Sequence, residues 1–179
     1  WIKIFHISHH IQTNLTNLTS INIPSSVSEI GDGCFYNCVN LEEVNIPNAI
    51  TAIGATCFRY CYKLKNVDIP ETVESIGNFA FAQCKAITEI RIPDKVKELG
   101  DCTFQLCDNL KSVYLGDGVE ILGFSLFVNC KSLANVTVSP NLKTIEHYAF
   151  KNCKKLEIIQ TYLKSEDVKN LSEYQNFYY

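Results

Sequence analysis

A period of 23 residues runs through this chain and limits what it can fold into. Cys38, Cys61, Cys84, Cys107, Cys130 and Cys153 are spaced by 23 each time. A phenylalanine precedes each of them at constant distance: Phe35, Phe58, Phe81, Phe104, Phe127 and Phe150. Apolar columns keep the same register, for example Leu41, Leu64, Ile87, Leu110, Leu133 and Leu156, or Val44, Val67, Ile90, Val113, Val136 and Ile159. Pro24, Pro47, Pro70 and Pro93 give way to Gly116 and Ser139, and a glycine column runs from Gly31 to Gly123 until Glu146 breaks it. Self-similarity at such a period is the signature of a stacked repeat.

Each unit predicts its own shape. The alternation around Val44 and Ile46 reads as a short strand, with Glu43 and Asn45 facing out. Proline closes the strand, where a missing N–H costs no ladder bond. Glycine follows where the chain is expected to turn. One unit cannot bury its apolar face alone, so stacking is obligatory, and strands about 4.8 Å apart build a parallel sheet. The expected organisation is a degenerate first repeat or cap over 1–23, six repeats over 24–161 and a capping segment over 162–179. Tyr174, Phe177, Tyr178 and Tyr179 in that last segment are expected to cover the open end.

The pattern from Leu41 to Leu64, LEEVNIPNAITAIGATCFRYCYKL, resembles the BspA-type leucine-rich repeat, the 23-residue class associated with spirochaete and Bacteroides surface proteins. That resemblance implies an α/β-type solenoid. It would be a right-handed leucine-rich-repeat array with one parallel concave β-sheet and an irregular or short-helical convex side. It also implies cell-surface or secreted binding proteins, many with longer arrays. The chain begins at Trp1 and has no Met, as a slice of such an array would.

Nine cysteines, an odd number, lie below the level that signals a disulfide scaffold, and six of them stand in one column. A small buried hydrophobe with a weak S–H donor suits that place, so Cys38, Cys61, Cys84, Cys107, Cys130 and Cys153 read as a structural ladder donating to neighbouring carbonyls. Stacked Cα atoms lie within disulfide range, but side chains in one column point the same way. Cys34 and Cys57 begin a second column of small residues, and Cys102, off both columns, is expected to be exposed. The C-x3-C pairs do not supply four free zinc ligands.

Chemistry is sparse. His6, His9 and His10 fall in the degenerate first repeat and read as solvated cap residues. No nucleophile elbow, phosphate loop or H-E-x-x-H occurs. Neither an enzyme nor a cofactor is expected. The net charge is −3 with no basic run, which removes the usual nucleic-acid footprint, and no apolar run reaches membrane-spanning length. Sequons at Asn14, Asn17, Asn135 and Asn170 point weakly to a secretory route.

Function is left to the positions that vary. The outward strand columns contain Glu43, Asn45, Asp68, Glu89, Arg91, Tyr114 and Thr137. Arg and Tyr are the residues that dominate interface hot spots, so the Asp68–Arg91–Tyr114 row is the expected anchor. The reading is a non-catalytic protein-interaction module, surface-borne or secreted, whose concave face takes a host, matrix or neighbouring protein. The alternative is an intracellular structural scaffold within a larger assembly, cytoplasmic or cytoskeletal.

Overall fold

The computed structural model describes residues 15–156, 158–160 and 177–178. It is a parallel β-solenoid in which each 23-residue unit makes one rung. The first strand row contains β1 (Ser20–Asn22), β3 (Glu43–Asn45), β6 (Glu89–Ile92), β8 (Ser112–Leu115), β10 (Asn135–Thr137) and β12 (Ile158–Gln160). Paired residues along it differ by one period, as in Ser20 with Glu43 or Arg91 with Tyr114. The final strand, β13 (Phe177–Tyr178), adds in parallel to β12 through Ile159–Phe177 and Gln160–Tyr178.

A second row was not expected. It consists of two-residue strands, β2 (Glu29–Ile30), β4 (Ala52–Ile53), β5 (Ser75–Ile76), β7 (Glu98–Leu99), β9 (Ile121–Leu122) and β11 (Thr144–Ile145). These form just after the turn closed by bonds such as Val73 N–H to the Pro70 carbonyl. The expected single sheet is therefore two rows, and neither is continuous. In the first row β3 is extended by one bridge from Glu43 to Asn66, residues 67–69 join no strand, and the row resumes at β6.

No helix occurs among the described residues, so the convex side is irregular and the short helices expected there are absent. The cause lies in the backbone. Gly33, Thr56, Phe79, Cys102, Ser125 and Tyr148 form one column with positive φ, and Asn37, Tyr60, Gln83, Leu106, Asn129 and Asn152 form another. A left-handed residue breaks any run of i to i−4 bonds. The N–H groups between them alternate instead. Cys61 and Arg59 donate three residues back, to Phe58 and Thr56, whereas Thr56, Phe58 and Tyr60 donate to Asn78, Ala80 and Ala82 of the next rung. Backbone donors are thus satisfied by the neighbouring rung, and the left-handed backbone persists because that lattice holds it.

Glycine in the repeat has a different role from the one expected. Gly54, Gly77 and Gly100 do not have positive φ; a Cβ at Gly77 would lie 2.5 Å from the Ala55 nitrogen. The column allows close approach of stacked backbones and is not a left-handed turn. Inside, Phe35, Phe58, Phe81, Phe104, Phe127 and Phe150 stack with centroids 5.2–5.7 Å apart and rings within 15° of parallel. Around them, Leu41, Leu64, Ile87, Leu110 and Leu133 are fully buried.

Truncating Phe81 to Ala is expected to cost about 3–5 kcal/mol, since Phe81 is fully buried between two rings. Equilibrium urea unfolding measures it, and a loss below about 1 kcal/mol would contradict the stack. The same assay separates the two glycine roles. Gly77→Ala is expected to destabilise more than Gly33→Ala, because Gly77 meets backbone whereas Gly33, with φ of +63°, has open contacts at 3.6 Å or more.

Candidate functional site

The thiol column is placed by the turn side of each rung. Cys61, Cys84, Cys107, Cys130 and Cys153 sit 3.0–3.3 Å from the carbonyl oxygens of Phe35, Phe58, Phe81, Phe104 and Phe127 on the preceding rung. Each S–H therefore donates backwards while the turn-side N–H groups donate forwards. All nine cysteines are free thiols. Burial pushes Cys34 up to about 12 and Cys38 up to about 11 from a usual 9.0, and it raises Cys57, Cys61, Cys84, Cys130 and Cys153 as well. Cys102 is buried, contrary to expectation, with its sulfur 3.7 Å from the Phe124 carbonyl oxygen. Its left-handed backbone is part of the turn lattice. Cys34 and Cys153 are the half-buried thiols.

The first strand row presents the variable positions. Glu43, Asn45, Asp68, Glu89, Arg91, Tyr114 and Thr137 are all exposed, while Val44, Val67, Ile90, Val113 and Val136 between them are buried. An open groove of about 590 Å³ lies where the row is interrupted. It gathers Asp68, Glu89, Arg91, Tyr114 and Thr137, with Asn66, Ser112 and Asn135, but not Glu43 or Asn45. Asn45 instead donates from Nδ2 to Asn22 Oδ1 at 2.7 Å.

At the groove's centre the Arg91 guanidinium covers the Tyr114 ring, 4.2 Å from its centroid. Its Nε lies 3.6 Å from a Glu71 carboxylate oxygen, and Nη2 lies 3.7 Å from one of Asp94. Hydrogen bonding to Tyr114, then the two carboxylates, holds Arg91 above its ordinary value. The pairs are solvent-exposed, so they orient the side chain more than they stabilise the fold. Glu71 and Asp94 were missed in the sequence. The signal was there: both occupy one column, three residues after Asp68 and Arg91.

Other candidates separate. Asn17 and Asn135 are exposed, and Asn135 lies on the strand face. Asn14, Asn170, His6, His9, His10, Tyr174 and Tyr179 lie outside the described residues. No group of three or more metal-ligating side chains occurs among the described residues, and no described helix could cross a membrane.

Parallel rungs, an interior of leucine, isoleucine and valine columns and a variable strand face define a leucine-rich-repeat solenoid. The BspA type leucine-rich repeat region matches in six copies, over residues 3–111 and 51–178. The chain belongs to that family. A leucine-rich repeat protein from Bacteroides ovatus is 39% identical, with a TM-score of 0.77, and the match covers 84% of this chain and 38% of that one. The T. pallidum leucine-rich repeat protein is 26% identical, with a TM-score of 0.60 and 78% of each chain covered. One from Eubacterium ventriosum is also 26% identical, with a TM-score of 0.64, covering 80% of this chain and 51% of that one. The chain thus spans well under half the length of the B. ovatus protein. Among curated proteins none matches.

The thiols make stability pH-dependent in one direction. A raised folded pKa keeps the proton on in the fold, so below 9.0 both states hold it and the contribution is complete. Above 9.0 the unfolded forms of the raised thiols ionise while their folded forms do not, and stability is lost as pH climbs, towards about 11 for Cys38. The urea midpoint should therefore fall from pH 8 to pH 10.5, and fall less in Cys84→Ser. An equal fall in that variant would remove the thiol from the explanation. In native protein at pH 8, iodoacetamide should modify Cys34 and Cys153 before any other thiol.

Proposed function

We propose that the chain is a non-catalytic protein-interaction module whose strand face, the concave side of the array, takes a protein partner through the groove around Arg91 and Tyr114. The observation that carries this reading is the pre-oriented pair itself. Arg91 is held by Tyr114, Glu71 and Asp94 on a rigid strand, so little side-chain entropy is lost when a partner covers it. Asp68, Glu89 and Thr137 supply a polar rim in which charge and hydrogen bonding can select the partner. Glu43 and Asn45 extend the same face towards the first rungs.

A surface or secreted setting is part of the proposal. It is supported by the leucine-rich repeat class and by the exposed sequon at Asn17. A glycan on Asn135 would stand in the groove, so the binding form leaves that site unmodified.

A photo-crosslinking amino acid placed at Thr137, and separately at Ile121 in the second row, tests which face binds. Exposed to an extracellular-matrix extract, the Thr137 probe should capture protein and the Ile121 probe should not; the reverse would refute the strand-face site. In the Thr137 background, Arg91→Ala with Tyr114→Ala should reduce capture about 30-fold, corresponding to roughly 2 kcal/mol for a hot spot.

A further inference from the structure

Lysines scattered along the sequence are gathered by the fold. Each rung has a short segment between its ladder cysteine and its first-row strand. Lysines occupy that segment in every rung from the second to the sixth: Lys63 and Lys65, Lys85, Lys111, Lys131, then Lys154 and Lys155. All are exposed. Among the described residues this rim has two acids, Glu42 and Asp108, and both are engaged. Glu42 meets Lys65 at 2.7 Å, while Asp108 lies 3.7 Å from Lys85 and 3.1 Å from Lys131. Lys63 and Lys111 have no ion pair among the described residues.

The rim on the other side of the strand face has the opposite sign. The segment from the proline column through the second row holds Glu29, Glu71, Glu74, Asp94, Glu98, Asp117 and Glu120 against Lys95, Lys97 and Lys143. The cross-section is thus polar, with a basic rim, a weakly acidic face and an acidic rim. A chain of net charge −3 hides this.

We propose that the basic rim binds a linear anionic polysaccharide lying along the stacking axis. One or two lysines per rung, with rungs about 4.8 Å apart, make a row of positive charge along one edge of the strand face. That matches an extended polymer bearing anionic groups along its sugars. Lysine ammonium groups are point charges that suit sulfate or carboxylate without the bidentate geometry arginine gives. A duplex or a bilayer would bring a broad negative surface against Glu43, Asp68 and Glu89 on the adjoining face, and these repel it. Single-stranded nucleic acid would need stacking platforms, and the rim offers one ring, Tyr62, already under Lys85 at 5.4 Å. The basic rim is separate from the Arg91 groove and does not depend on it.

Heparin and hyaluronan are the probes, the first carrying sulfate and carboxylate, the second carboxylate alone. The 179-residue chain should be retained on immobilised heparin and elute only above physiological ionic strength, about 0.15 M. Its overall charge is of the wrong sign to explain such retention. Lys63→Ser, Lys111→Ser and Lys154→Ser combined should weaken heparin binding at least tenfold and reduce the salt slope by about one per lysine removed. Lys95→Ser, Lys97→Ser and Lys143→Ser combined removes the same charge from the other rim and should leave binding unchanged. Circular dichroism verifies the fold of both variants. Binding to hyaluronan as tight as to heparin would assign recognition to carboxylate, tighter heparin binding to sulfate, and either supports a polysaccharide site. The proposal is overturned by equal losses in the two variants, by no retention of the parent chain, or by tighter binding to oligo-dT or phosphatidylserine vesicles at the same salt.

Discussion

Everything in this molecule depends on one rung satisfying the hydrogen bonds of the next. Strand residues pair one period apart. Turn-side N–H groups reach forward to the next rung, and the cysteine thiols reach back to the preceding one. Asp32, Asn78 and Asp101 add side-chain acceptors for the N–H groups of Ala55, Asp101 and Phe124. A rung removed from its neighbours would leave buried donors and acceptors open on both sides, each costing about 1–3 kcal/mol. Stacking is therefore as much a polar requirement as an apolar one, and the phenylalanine column is compatible with it because ring spacing and rung spacing nearly coincide.

The unbroken period explains why so much was legible. Leu41 through Leu156, the phenylalanines and the ladder cysteines are columns, and a column in a strict repeat must occupy one environment. What could not be read was what the columns do to the backbone. Phe79, Cys102 and Leu106 are poor choices for a left-handed conformation, and no propensity rule would place them there. They adopt it because forward bonds to Asp101, Phe124 and Val128 compel it. The glycine column was visible, but its cause was not: a missing Cβ serves equally for positive φ and for close approach, and only packing against Ala55 or Asn78 separates the two. Strands of two residues, such as Ala52–Ile53, lie below what alternation can detect.

The binding face divides similarly. That Asp68, Arg91 and Tyr114 share a side followed from alternation. That the row opens at residues 67–69 and makes a groove there did not, because Val67 and Ile69 keep the apolar pattern of every other rung. Glu71 and Asp94 come from a segment whose rim position depends on how the turn closes. The lysine rim was hidden for a different reason: its members are divided among three columns. Lys85, Lys131 and Lys154 stand in one, Lys65 and Lys111 in another, Lys63 and Lys155 in the third, each interrupted by uncharged or acidic residues, and only folding into rungs brings the three onto one edge.

The same rung-to-rung register also sets how the chain responds to force. Its bonds run along the stacking axis, so tension between the two ends loads one interface at a time instead of shearing many together. Such an array gives way by peeling. Each event frees 23 residues, on the order of 75 Å of extended backbone, in exchange for one rung of about 4.8 Å. A tether built this way lengthens many-fold at nearly constant load, as evenly spaced steps in single-molecule stretching, while the rungs still stacked keep their surface intact.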